Sequence, residues 1–106
     1  MKNENKYILY VGLNDKDTKK QEITTATAQK TIQQILFNNQ VEGFTIYKAK
    51  GLYKHTNGEI TKETTIIIEL LYISNNIINN IIKDLKKALN QESILVSYTR
   101  ERVNFA

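Results

Sequence analysis

The 106-residue sequence contains no cysteine, no proline and no tryptophan, and only one histidine, one methionine and four glycines. Without cysteine there is neither a disulfide framework nor a thiolate metal site. The lone His55 has only carboxylates near it in sequence, which do not build a zinc site, and a histidine at a turn tip is expected in solvent. No metal and no cofactor are therefore expected. No apolar run approaches the roughly 18 residues needed to span a bilayer, so no membrane partner is expected. The segment Met1-Lys2-Asn3-Glu4-Asn5-Lys6 is polar where a signal peptide would be apolar, which points to the cytoplasm. Lysine and arginine number 15 against 11 acids, a net charge of +4. That balance favours anionic partners weakly and lacks the clustered basic stripe of a dedicated nucleic-acid binder. A chain of this length is expected to be a single domain, residues 1–106, with a modest core.

What the sequence does have is a strong hairpin signal in its middle. Thr56-Asn57-Gly58-Glu59 places Asn and Gly where a two-residue type I′ turn needs positive φ. If that turn sets the register, paired residue numbers sum to 115. Thr45 then faces Leu70, Tyr47 faces Ile68, Ala49 faces Ile66 and Tyr53 faces Lys62, forming one mostly apolar face. The other face carries Phe44 with Leu71, Ile46 with Glu69, Lys48 with Ile67 and Lys50 with Thr65. Glu69 would need Lys48 or Lys50 as its neighbour, because an unpaired buried carboxylate is costly.

Around the hairpin the periodicities alternate. Tyr7–Leu13 is a short apolar run ending in the polar cluster Asn14–Thr18, which reads as a buried strand and a loop, with Gly12 marking a bulge. Thr24 or Thr25 caps a helix whose apolar stripe is Ala28, Ile32, Ile35 and Leu36, running to about Asn39. Ser74 or Asn75 caps a second helix with Ile77, Ile78, Ile81, Ile82, Leu85, Ala88 and Leu89 on one side. Lys83, Lys86 and Lys87 lie late in that helix, where cations complement the dipole. Ile94–Val103 closes the chain as a strand with Ile94, Val96, Tyr98, Arg100 and Arg102 on one face, and Asn104-Phe105-Ala106 is expected to fray. The order β-α-β-β-α-β predicts an α+β, ferredoxin-like fold: a four-stranded antiparallel sheet with two helices on one face. The strand Thr64–Ile73 is apolar on both faces, so Phe44, Ile46, Ile67, Leu71 and Ile73 are expected to form a sticky open face on which copies of the chain associate.

Gly43-Phe44-Thr45-Ile46 followed by Ala49-Lys50-Gly51-Leu52 resembles a segment of the nitrogen-regulatory P-II-like superfamily. Tyr53, Gly58 and Glu63 extend the likeness to a bacterial family of unknown function within it. The resemblance implies a homo-oligomer, a trimer by preference, holding nucleotides or other small effectors between subunits. By the same resemblance Thr45, Lys48, Lys50, Arg100 and Arg102 are the candidate ligand residues, and the two arginines suit bidentate capture of phosphate or carboxylate. Two departures argue against the superfamily's usual ATP sensing and loop-mediated docking. Asn90-Gln91-Glu92-Ser93 stands where a glycine-rich phosphate loop would be, and the long effector loop is reduced to the Asn57-Gly58 turn. The leading expectation is a non-enzymatic oligomer that binds a small anionic, nucleotide-like ligand at subunit junctions. A nucleic-acid- or protein-binding module using the open sheet is the alternative, although the tyrosines do not form an RNP signature. Catalysis is not expected, because a hairpin-tip His55 with Glu59 and Glu63 lacks a desolvated pocket.

Overall fold

Apolar residues spaced two apart in some segments and three to four apart in others settle into a sheet backed by a helical layer. In the computed structural model, which describes residues 1–106, the elements are β1 (Lys2–Gly12), α1 (Thr25–Asn38), β2 (Thr45–Lys54), β3 (Ile60–Leu71), α2 (Asn75–Ala88) and β4 (Leu95–Val103). All neighbouring strands are antiparallel, in the order β2-β3-β1-β4. This is the expected ferredoxin-like arrangement.

Both helices start and stop for local reasons. Thr24 Oγ1 accepts from the Thr27 N–H at 3.2 Å and Ser74 Oγ from the Ile77 N–H at 3.3 Å, each satisfying a first-turn donor. Both ends are Schellman motifs, with Gln40 (φ 67°) and Asn90 (φ 48°) in the left-handed region. Tyr7, Leu9 and Val11 of β1 and Ile66, Ile68 and Leu70 of β3 meet Ala28, Ile32 and Leu36 of α1 and Ile78, Ile81 and Leu85 of α2 in one buried cluster. Each such aliphatic side chain contributes about 1.5–3 kcal/mol of burial. No helix is long and apolar enough to cross a membrane.

The central hairpin departs from its expected register. The His55 N–H donates to the Glu59 carbonyl at 2.7 Å and the Gly58 N–H to the His55 carbonyl at 2.9 Å. Gly58 alone takes positive φ there, at 91°, while Asn57 Oδ1 accepts from the Glu59 N–H at 2.9 Å. The connection is thus a three-residue loop, Thr56-Asn57-Gly58, closed by a left-handed glycine. Pairs sum to 114: Thr45 faces Glu69, Tyr47 faces Ile67 and Gly51 faces Glu63. A one-residue slip turns every β2 side chain to the opposite face.

Four expectations change, three of them with the register. Phe44 and Ile46 turn toward the helices and pack against the core, with the Phe44 ring 5.3 Å from that of Phe37. Ile73 changes for a separate reason: it lies past the end of β3, where the left-handed Tyr72 (φ 61°) breaks the alternation, and it belongs to the core at 8% exposure. Of the five residues expected on the open face, Ile67 and Leu71 remain there, joined by Ile8, Tyr10, Tyr47 and Leu95. Glu69 pairs with Lys6 at 3.5 Å and accepts from the Tyr47 hydroxyl at 2.9 Å, not with Lys48 or Lys50.

Two further differences lie in β1. It begins at Lys2, ahead of the expected Tyr7, because Lys2–Lys6 pair with Thr99–Val103 through the backbone. Both faces of that extension are largely solvated, so no apolar alternation announces it. Gly12 sits in the regular ladder opposite Thr65, where a bulge was expected.

Candidate functional site

The even-numbered residues of the β2–β3 hairpin lie on the helix side of the sheet. Lys48 faces Ile66, Lys50 faces Thr64, Leu52 faces Lys62 and Lys54 faces Ile60. Four lysines therefore share a surface. Lys48, Lys50 and Lys62, with the single acid Glu63, line a groove of about 620 Å3, walled by Asn14 and Gln21 from the loop after β1. These lysines are exposed and form no ion pair, since the chain's two salt bridges both belong to Lys6.

The wall of the groove is held by a local network. Asn14 and Gln21 form an isolated antiparallel bridge across the 14–21 loop. Within it Asp15 accepts from the Asn90 amide at 2.8 Å and from the Asp17 and Thr18 N–H groups at 2.9 and 3.2 Å. The Asn90 amide, followed by those two backbone donors, holds the Asp15 carboxyl below its ordinary range. Asp15 is thereby committed to the loop and does not neutralise the lysines.

The other candidate residues lie elsewhere. Thr45 is exposed at the far end of β2, on the open face beside Glu69. Arg100 donates through Nη1 to Asn5 Oδ1 at 2.8 Å and through Nη2 to the Asn3 carbonyl at 3.2 Å. Arg102 faces Asn3 in the next pair of the same ladder. Arg100 is opposite Asn5, whereas Thr64, the partner of Lys50, is bonded to Leu13. The eight residue steps from Asn5 to Leu13 separate the arginines from the lysines by about 27 Å along the sheet at about 3.4 Å per residue. One subunit thus gathers Lys48 and Lys50, adds Lys62 and Gln21, and leaves Thr45, Arg100 and Arg102 apart.

Lys62 escaped the sequence reading because the expected register set it opposite Tyr53, on the other side of the hairpin. The signal that finds it is parity. Lys48, Lys50, Lys54 and Lys62 are all even-numbered, and an even register sum puts them on one face. On the opposite face the Tyr47 hydroxyl is bonded to the Glu69 carboxylate, and that bond raises the phenol's pKa, with burial adding to it.

The sequence profile of a family described as "Protein of unknown function (DUF3574)" matches residues 6–105. Among curated proteins no relative matches. Several solved structures are similar in fold. A phage SAM lyase in complex with S-methyl-5′-thioadenosine has a TM-score of 0.65 at 19% identity, covering 91% of this chain and 80% of that one. A nitrogen regulatory PII-like protein from Thiomonas intermedia K12, bound to ADP, AMP and bicarbonate, has a TM-score of 0.60 at 12% identity, covering 99% and 97%. The B. subtilis GlnK–ATP complex has a TM-score of 0.58 at 14% identity, covering 92% and 82%. At these identities the likeness is one of fold alone, the ferredoxin-like arrangement that the PII-like protein, GlnK and the phage lyase share.

Proposed function

The chain belongs to that family of unknown function, and from this premise we propose that it works as a non-enzymatic, P-II-like oligomer binding a small anionic ligand in the lysine groove of the β2–β3 hairpin. The observation that carries the reading is the unpaired set Lys48, Lys50 and Lys62 on one wall-bounded surface. Three lysines against the single carboxylate of Glu63 leave the groove net positive, and a bound anion balances that excess. The PII-like protein of similar fold holds ADP, AMP and bicarbonate, and GlnK holds ATP, which supports an anion of that size. A groove this open binds a small ligand more tightly when a second surface closes over it. A neighbouring subunit supplies that surface, and Arg100 or Arg102 of a second copy is the cation suited to complete the site.

Self-association follows from the open face, where Ile8, Tyr10, Tyr47, Ile67, Leu71 and Leu95 stand without a covering layer. A trimer is the arrangement we favour. The fold is shared with a lyase, but no catalytic step is derived from that likeness. The test combines light scattering with calorimetric titration of ADP, AMP, ATP and bicarbonate into the native protein. We expect an oligomer and saturable binding of at least one anion, weakened about tenfold by Lys50→Glu. A monomer that shows neither heat nor thermal shift with any of the four would end the proposal.

A further inference from the structure

We propose that the outer side of α2 carries a second anion site, a hollow where Lys16, Lys83, Lys86 and Lys87 converge, and that it binds an inorganic oligophosphate chain. The hollow measures about 400 Å3, and Asn79, Ile82 and Gln91 complete its lining. It shares no residue with the lysine groove of the hairpin and does not rest on that reading. The helix dipole accounts for only part of it. Lys86 and Lys87 lie in the last turn of α2, where a cation offsets the free carbonyls, but that effect fades within one turn. Lys83 lies outside that turn, and Lys16 comes from the loop after β1.

Hydrogen bonds tie Lys16 to the end of that helix. Its N–H donates to the Asn90 carbonyl at 3.0 Å, and the Gln91 N–H donates to the Lys86 carbonyl at 2.9 Å. The Gln91 amide donates to the Asn14 carbonyl at 2.8 Å, while the Asn90 amide reaches Asp15 and Asp17 at 2.8 and 2.9 Å. The loop and the helix terminus are thereby joined, and Lys16 is added to a row that the helix itself sets. Lys83 and Lys87 are one turn apart on the same face, with Asn79 and Lys86 beside them. Lys16, Lys83 and Lys87 are exposed and Lys86 is half-buried. Because the backbone positions are fixed beforehand, a ligand has only the lysine side chains to order.

Charge and shape narrow the ligand. Like charges three and four residues apart on a helix are mutually destabilising, and no acid lines the hollow to offset them. None of the four ammonium groups lies within 4.0 Å of a carboxylate, since both salt bridges belong to Lys6. The acids adjacent in sequence are held by other partners. Asp15 and Asp17 accept from the Asn90 amide, and Asp84 accepts from the Asn39 amide at the end of α1 at 3.0 Å. Glu92 lines a different cleft on the open side of the sheet, which Asp15 and Lys16 also border. Several charges spaced along one small ligand match four ammonium groups, and each lysine meets a phosphate oxygen as a rotatable point charge. No aromatic side chain lines the hollow, so a nucleobase has nothing to stack on and the phosphates alone are recognised. The volume suits a short chain, being near the lower end of the roughly 300–1,000 Å3 usual for small-molecule sites.

The test is calorimetric titration of the intact protein with sodium tripolyphosphate, and with orthophosphate in parallel. We expect saturable binding of tripolyphosphate, with orthophosphate about tenfold weaker or worse on the unaltered protein. Lys83→Gln combined with Lys87→Gln should weaken tripolyphosphate about tenfold, and Lys16→Gln alone about threefold. The charge-matched pair Lys2→Gln with Lys30→Gln, both exposed and remote from α2, should leave the affinity unchanged. Absence of tripolyphosphate binding, equal affinity for orthophosphate, or an equal loss in the charge-matched pair would each overturn the proposal. So would binding that survives Lys83→Gln with Lys87→Gln but is lost in Lys50→Glu, because the phosphates would then sit in the hairpin groove. The orthophosphate comparison uses no variant, so it stands even if a substitution disturbs the helix.

Discussion

Replacing Gly12 by alanine tests the notch in which this glycine seats the Glu63 carboxylate, and its cost should depend on what stands at position 63. The added Cβ would fall 2.4–2.6 Å from all three atoms of the Glu63 carboxyl group, against the roughly 3.5 Å at which carbon contacts turn favourable. Because the clash is with the end of a flexible side chain and not with backbone, the carboxylate swings out and the ladder survives. What is lost is the bond from the Asn14 N–H, 3.1 Å long. A hydrogen bond to a charged group is worth about 1.5–3 kcal/mol. Glu63 is half-exposed and regains water when displaced, so about 1 kcal/mol is the appropriate figure after that discount. In a Glu63→Ala background the same substitution meets empty space, and replacing glycine inside a strand then recovers up to about 0.5 kcal/mol. The expected coupling between the two sites is therefore about 1–1.5 kcal/mol. Urea denaturation of wild type, both single variants and the double variant measures it, at one protein concentration because association shifts apparent stability. An equal loss for Gly12→Ala in both backgrounds would refute the notch, and with it the seating of Glu63.

Two other outcomes follow from the same structure. Gly58→Ala forces a side chain into φ 91° at the hairpin tip and should cost about 1 kcal/mol; an unchanged denaturation midpoint would mean that the loop does not hold that conformation in solution. Asp15 has a folded-state pKa below its ordinary value, chiefly through the Asn90 amide. A depressed carboxyl contributes stability that is complete above its unfolded pKa and disappears as pH falls through the folded value. Acidification below about pH 4 should thus lower the amide-exchange protection factors of the 14–21 loop, measured against the intrinsic rate at each pH, and Asp15→Asn should remove that step; identical profiles for the two proteins would contradict the network.

Much of the architecture was legible because burial writes itself into spacing. Ile78, Ile81 and Leu85 lie on one side of α2, and Thr24 and Ser74 were readable as caps, since only a few side chains satisfy a helix's first donors. The faces of β3 and β4 were also read correctly, because Ile66, Ile68 and Leu70 are held by the helices whatever the turn does. The polar start of β1 was invisible, being held by backbone bonds to β4 with no apolar face to signal it. Part of the candidate site was legible in the same uneven way. Lys62 is read on the helix side, where it lies, but the expected register puts Lys48 and Lys50 on the open face, and the slip by one residue brings them round to join it. Glu63 was noticed without any hint that Gly12, about fifty residues earlier, makes room for it.

Taken alone, the order of polar and apolar residues determined the number and kind of elements, their sequence along the chain, and which strands had to meet the helices. Those are properties of local period and of capping, and they need no partner to be expressed. Tertiary structure alone decided which side of β2 faces solvent, because Asn-Gly is compatible with a two- or a three-residue loop. The helices settle that choice by burying Phe44 and Ile46. One residue of register then gathers the lysines into a single groove and brings Gly51 opposite Glu63.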